Sequence, residues 1–131
     1  MQSFVQKTAV ITGAGSGLGR EFALRAAQLG MQLVLADVQR EGLQQTERMA
    51  QALGAKVLAQ ICDVRHGSEL AALAQATLER FGVVHLLFSN AGVGAGGLLW
   101  ESTQQDWEWV LGVNLWGVIH GVRTFTPRSE E

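Results

Sequence analysis

The chain has 131 residues, of which 47% are hydrophobic, and a formal net charge of −2. This length and apolar content support one hydrophobic core, so we expect a single domain over residues 1–131. The charge offers no basic surface for nucleic acid, and the apolar run near the N-terminus is too short for a signal peptide or a membrane span; we therefore expect a cytoplasmic protein with neither kind of partner.

Short apolar runs alternate with longer helical patterns along the chain. The runs predict four strands, at residues 8–11, 33–36, 55–61 and 83–88. Between them, apolar residues recur at helical spacing over residues 18–29, 43–53 and 70–81, and each pattern stops near a glycine, at Gly30, Gly54 and Gly82. Strand, helix and strand in three successive repeats predict an α/β fold with a doubly wound parallel sheet.

The stretch TGAGSGLGR, residues 12–20, follows the first predicted strand. At the carboxyl edge of a parallel sheet, a helix N-terminus offers free N–H groups and the positive end of its dipole. Glycines allow a tight turn and the close approach of a pyrophosphate, while Gly19 lets the helix pack near the sheet. We predict a dinucleotide site formed by Gly13, Gly15, Ser16, Gly17, Leu18 and Gly19; a purely structural glycine turn is the alternative.

The spacing of these glycines excludes two related motifs. It is T-G-x-x-x-G-x-G, whereas the strict dinucleotide fingerprint is G-x-G-x-x-G. A P-loop is excluded as well, because no Gly-Lys-Ser or Gly-Lys-Thr follows the turn.

Asp37 ends the second predicted strand, eighteen positions after Gly19. A carboxylate there can accept hydrogen bonds from adenosine ribose hydroxyls and would repel a 2′-phosphate, so we expect NAD, with NADP less favoured. We place Asp37 and Val38 in the cofactor site. Against this, Arg40 could offer a cation to a 2′-phosphate and Ser16 could hydrogen-bond it, and Asp37 could simply be a turn residue.

Cysteine and histidine are too few and too scattered for a disulfide framework or a metal centre. Cys62 is the single cysteine, and the histidines are His66, His85 and His120. Cys62 and His66 could share a helix face, but no second pair lies nearby. We expect no metal and interpret Cys62 as a small buried apolar residue.

In its glycine turn and three later motifs, the chain resembles the N-terminal half of a short-chain dehydrogenase/reductase, from about residue 7 to 127. Cys62, Asp63 and Val64 resemble the family's adenine-contacting segment, in which the Asp meets the adenine amino group. Asn90, Ala91 and Gly92 match the N-A-G motif, which shapes the sheet and the floor under the cofactor. Asn114, inside VNLWG, falls where the family keeps an Asn that supports a catalytic proton relay.

Each residue assigned through this resemblance also has a simpler interpretation. Asp63 could cap the helix that begins near Ser68, and Asn90 could satisfy loose backbone groups at the end of strand four. Asn114 could be a hydrogen-bonded amide in a helix core. The glycine-rich loop after strand four suits a flexible wall for an apolar substrate.

The resemblance implies a Rossmann-like sheet, truncated after the helix that follows strand four. It also implies NAD(P)-dependent hydride transfer between nicotinamide and a carbonyl or secondary alcohol. The family's acid/base is a Tyr with a Lys three or four positions on, but the chain contains no Tyr, and Lys7 and Lys56 lie elsewhere. We therefore expect the cofactor-binding half, without turnover of its own.

One expectation about partners and two alternative functions follow. The family pairs subunits through the helix that contains Asn114, and strand four would expose an apolar edge, so we expect a homo-oligomer. The principal alternative to an oxidoreductase is a non-catalytic dinucleotide-binding or self-pairing module. A methyltransferase-like domain is a distant third, because it would leave the N-A-G motif unexplained.

Overall fold

A computed structural model describes residues 4–91 and 104–105 of the chain. The elements are β1 (Thr8–Thr12), α1 (Gly17–Gln28), β2 (Gln32–Asp37), α2 (Arg40–Ala52), β3 (Val57–Ile61), α3 (Gly67–Phe81) and β4 (Leu86–Ser89). All strand pairs are parallel, in the order β3-β2-β1-β4, which confirms the predicted α/β sheet. Of the helix predicted after strand four, the structure describes Gln104 and Gln105, which are helical, and the rest lies outside the described residues.

Two hydrophobic cores cover opposite faces of this sheet. Ala9 and Ile11 of β1 join the core against α1 and α2, whereas Val10 between them joins the core against α3. Successive side chains of a strand point to opposite faces, so a strand covered on both sides must be apolar throughout. This is why β1 and β2 are continuous apolar runs and why the sheet is doubly wound.

The most deeply buried residues of α1 are small, while Phe22 and Leu29 of the predicted apolar pattern pack partly buried against the same core. The buried residues are Gly19, Ala23, Ala26 and Ala27, all of them small, so α1 lies close against the sheet. Leu18, the first member of the predicted apolar pattern, is 66% exposed because its side chain lines a cleft rather than the core. Phe22 stacks on Phe88 of β4, with ring centroids 4.2 Å apart.

The three described helices end near the predicted glycines, but β3 and β4 begin later than predicted. Gly30, Gly54 and Gly82 all have positive φ after their helices, as predicted. The third strand begins later than expected, because the Ala55 N–H donates to Ala50 in the closing turn of α2. The fourth also begins later: His85 Nδ1 accepts the Thr8 N–H at 2.9 Å, so a side chain replaces a backbone acceptor.

No helix among the described residues is both long enough and apolar enough to cross a bilayer.

Candidate dinucleotide site

A cleft of about 490 Å³ opens at the carboxyl ends of the strands. β1 lies between β2 and β4, and the chain turns from β1 into α1 on one face of the sheet while α3 covers the other. Ligands of open α/β sheets bind at such a switch point. The cleft is lined by Gly13, Ser16, Gly17, Leu18, Asp37, Val38, Gln39, Cys62, Asp63, Val64, Arg65, Asn90 and Ala91.

Two glycines of the turn are required by close backbone packing. A Cβ at Gly19 would overlap the Gly13 carbonyl oxygen and lie 2.7 Å from Asn90 Nδ2. A Cβ at Gly13 would lie 2.8 Å from the Ala91 Cα. The structural interpretation of the glycine turn therefore accounts for these two positions without any ligand.

Gly17 requires a different explanation. Its φ is +53°, and a Cβ there would meet nothing within 4 Å, so the space beside it is open. Gly17 begins α1, whose N-cap residue Ser16 makes no side-chain capping bond and whose first turn contains no acidic residue. The first N–H groups of a helix have no partner within the helix, so this turn presents donors and a positive dipole end to the cleft.

Asp37 is held at the cleft wall by two backbone donors. Its Oδ2 accepts the Gly15 N–H at 2.8 Å and its Oδ1 accepts the Gln39 N–H at 2.9 Å. A Cβ at Gly15 would lie 2.8 Å from Oδ2, so this glycine is needed for the approach of the carboxylate. An ionised carboxylate has about four acceptor sites, which leaves room for two ligand hydroxyls. Arg40 begins α2 and is exposed.

Cys62 is a neutral thiol in the cleft wall. It is 2% exposed, and burial, with smaller contributions from the Glu69 and Asp63 carboxylates, raises the pKa of the thiol to about 12. A thiol with this pKa stays protonated at neutral pH and is a poor nucleophile. The prediction of a small buried residue is confirmed. Within residues 4–91 and 104–105, no three His, Cys, Asp or Glu side chains form a possible metal site.

Asp63 is bound to Arg65 at the end of β3. The Arg65 Nε lies 3.0 Å from Oδ1 and its Nη2 lies 2.6 Å from Oδ2, while the Arg65 N–H also donates to Oδ1. The hydrogen bond from the Arg65 side chain is the main cause that lowers the pKa of Asp63. Asp63 does not cap α3, because the N-cap residue is His66 and no side chain caps it.

Asn90 joins the end of β4 to the glycine turn. Its Nδ2 donates to the Gly13 carbonyl at 3.3 Å, and the N–H groups of Asn90 and Ala91 both lie within 3.2 Å of the Thr12 hydroxyl. The loose N–H groups at the end of β4 are thus satisfied by the Thr12 hydroxyl, whereas the Asn90 side chain binds a carbonyl of the glycine turn and not the end of its own strand. Gly92 and Asn114, predicted as a cofactor contact and a relay residue, lie outside the described residues.

The family model described as short chain dehydrogenase matches residues 7–130. The chain belongs to the short-chain dehydrogenase family. A short-chain dehydrogenase/reductase from Burkholderia phymatum, solved in complex with NAD, is 58% identical. It has a TM-score of 0.95 and covers 98% of this chain, which covers 46% of that one.

Other relatives of this short-chain dehydrogenase chain extend the comparison. A metagenomic short-chain oxidoreductase solved with NADP is 34% identical with a TM-score of 0.90, over 96% of this chain and 58% of that chain. The CLA biosynthesis dehydrogenase/reductase of Lactiplantibacillus plantarum is 33% identical over 127 residues, which are 97% of this chain and 44% of that protein. The chain spans about half the length of the curated relatives it matches.

The cleft of this short-chain dehydrogenase chain also contains two residues that sequence reasoning missed. Gln39 and Arg65 line it together with the predicted residues. Each lies two positions after a predicted Asp, so the available signal was the tendency of Asp to bond the backbone two residues on. Gly15 and Gly19, in contrast, are not in the lining, because they pack against Asp37 and the Gly13 carbonyl.

Proposed function

We propose that this chain binds NAD in the cleft and forms the cofactor half of an oxidoreductase. That enzyme would transfer hydride between nicotinamide and a carbonyl or secondary-alcohol substrate. The observation that carries the proposal is the pairing of an uncapped α1 N-terminus beside open space at Gly17 with a carboxylate at Asp37 on the adjacent strand. The helix N-terminus suits a pyrophosphate, and the Asp37 carboxylate suits ribose hydroxyls.

The remaining lining residues support the same orientation. Val38 and Val64 give apolar walls near Asp37 and Asp63, which suits a base that is flat and apolar on its faces and polar at its rim. Asp63 would accept the adenine amino group, and Asn90 and Ala91 would form the floor beneath the nicotinamide side. When bound, nicotinamide supplies the hydride donor or acceptor.

The choice of NAD over NADP rests on the charge of Asp37. An anion at this position repels a 2′-phosphate, and the 58% identical Burkholderia protein was solved with NAD. A 34% identical relative was solved with NADP, which supports the opposite choice.

Catalysis by these 131 residues alone is not expected. The chain has no Tyr to donate a proton to a carbonyl oxygen, and Asn114 would support a relay rather than begin one. This feature favours the second candidate, a non-catalytic dinucleotide-binding or self-pairing module. These 131 residues should therefore yield no NADH from a panel of secondary alcohols with NAD, and formation of NADH would refute the non-catalytic candidate.

A homo-oligomer is the proposed assembly. β4 is apolar and half-buried, and among the described strands it pairs with β1 alone. Light scattering after gel filtration at tens of micromolar checks this, and a clean monomer contradicts it.

Asp37→Asn tests the cofactor proposal. NADH binding is followed by energy transfer from the four tryptophans. Asn keeps one oxygen for the Gly15 N–H but loses the charge, so we expect NADH to bind about tenfold more weakly and NADPH to bind more tightly.

Glu41→Gln is the matched control, because it removes one negative charge from an exposed position in the first turn of α2. It should leave both affinities unchanged. Unaltered NADH binding by Asp37→Asn, or tighter binding of NADPH than of NADH by the unmodified chain, contradicts the proposal.

A further inference from the structure

The cleft wall beyond β3 contains an ion pair of which the cofactor proposal uses only the carboxylate. Asp63 and Arg65 both line the cleft, and their side chains are 18% and 39% exposed. The guanidinium contacts both carboxylate oxygens through two different nitrogens. Such a two-point contact fixes the plane of the carboxylate as well as its position.

The backbone around this pair is fixed from both sides. The Asp63 N–H donates to Glu69 Oε1 at 3.0 Å, so the first turn of α3 holds the residue from one side. The Arg65 N–H donates to Asp63 Oδ1, which holds the side chain from the other.

Arg65 is the cation in direct contact with the Asp63 carboxylate. The other basic group nearby is His66, whose Nε2 lies 3.7 Å from Asp63 Oδ2 and which is charged only when protonated. Without the Arg65 guanidinium, the Asp63 carboxylate would lose its two-point contact and keep the hydrogen bond from the backbone N–H of residue 65 to Oδ1, about which it could rotate. The direction of the acceptor in the cleft wall would then be less firmly fixed.

We propose that Arg65 is a positioning residue that holds the Asp63 carboxylate at the cleft wall as a hydrogen-bond acceptor for the base of the dinucleotide. An acceptor fixed there favours a base with a 6-amino group, which donates a hydrogen bond. It disfavours a base with a 6-oxo group, whose lone pairs face the carboxylate. The inference rests on the proposed binding of NAD in this cleft.

The test compares NADH with reduced nicotinamide hypoxanthine dinucleotide, in which a 6-oxo group replaces the 6-amino group. Dissociation constants are measured for the full chain and for Arg65→Ala, Arg65→Lys and Asp63→Asn, with the thermal midpoint recorded for each. We expect the unmodified chain to bind NADH about tenfold more tightly than the hypoxanthine form, as a hydrogen bond to a charged acceptor predicts.

Arg65→Ala should reduce this preference to about threefold or less by weakening NADH binding, with affinity for the hypoxanthine form changed less than about twofold. Arg65→Lys should restore part of the preference, since an ammonium pairs with the carboxylate at one point only. In the Asp63→Asn background, Arg65→Ala should change nothing further. Arg48→Ala, at an exposed position on α2, is the matched control.

A purely structural role for Arg65 would weaken both dinucleotides equally, so an unchanged preference overturns the inference. A larger preference in Arg65→Ala also overturns it, because Arg65 would then compete with the base for Asp63. If the unmodified chain binds neither dinucleotide, the proposed function fails together with the inference. Binding of NADH with an unaltered ratio in Arg65→Ala refutes the inference alone.

Discussion

Four glycines in the turn after β1 look equivalent in the sequence but have different roles in the structure. Gly13 and Gly19 are required by contacts with backbone atoms, and Gly15 by its contact with the Asp37 carboxylate. Gly17 alone combines a positive φ with open space on the cleft side. Substitution should therefore separate a packing effect from a ligand-binding effect.

Gly19→Ala should destabilise the chain by about 3 kcal/mol, because the new Cβ meets a backbone carbonyl that cannot move aside. Gly17→Ala should lower stability by only about 1 kcal/mol of backbone strain, yet weaken NADH binding. Urea unfolding measures the first effect and fluorescence titration the second.

Gly54→Ala is the control for strain, because Gly54 has a φ of +91°, no neighbour within 4 Å of a Cβ and a position after α2. It should match Gly17→Ala in stability and bind NADH normally. Equal stability of Gly19→Ala and Gly17→Ala would contradict the packing role.

At the scale of elements, Arg20 connects α1, the glycine turn and α2. Its Nη2 donates to the Gly15 carbonyl at 2.6 Å and to the Gly42 carbonyl at 3.2 Å, and its Nε donates to the Thr46 hydroxyl at 2.9 Å. The Thr46 hydroxyl in turn donates to the Ala14 carbonyl at 2.8 Å. Two helices thus share one set of polar bonds with the turn.

Arg20→Ala should lower the free energy of unfolding by about 2 kcal/mol, because half-buried carbonyls lose a charged donor. Arg25→Ala, also on α1 but at an exposed position where the side chain bonds Gln28 on the same helix, should change it by less than about 0.5 kcal/mol. Urea unfolding measures both variants. Similar values for the two would show that Arg20 does not join the helices.

The sequence was sufficient to predict elements that depend on local patterns. Continuous apolar runs predicted β1 and β2, and glycines marked the ends of all three helices. It was insufficient where a contact joins distant segments: the Gly19 packing depends on Asn90, and the start of β4 depends on a His85 side chain that reaches Thr8. The role of Arg20 could not be predicted from the sequence, because it depends on contacts with Gly42 and Thr46 of α2.

At the scale of the whole molecule, stability should depend on pH through His85. Its Nδ1 accepts a hydrogen bond from Thr8 and must be unprotonated to do so. Burial, with a smaller effect of the Lys7 charge, lowers the pKa of His85 below its ordinary value. The unfolded chain takes up the proton first, so the stabilisation is complete above about pH 6.5 and is lost as pH falls toward the lowered native pKa.

Urea unfolding between pH 8 and pH 5 checks this expectation against His85→Asn. The Asn oxygen can accept the same N–H but does not titrate. As pH falls across this range, the unmodified chain should lose more of its free energy of unfolding than His85→Asn does. A constant difference would contradict the role of His85. The Asp63 carboxyl titrates in a more acidic window, because its pKa is also lowered.

The glycine turn is held from three directions by the protein itself. Asp37 binds the Gly15 N–H, Arg20 binds the Gly15 carbonyl, and Asn90 binds the Gly13 carbonyl. A receptor that is preorganised in this way loses little conformational entropy when a ligand arrives. Association should therefore proceed as a single fast bimolecular step, without a slow rearrangement that saturates at high ligand concentration.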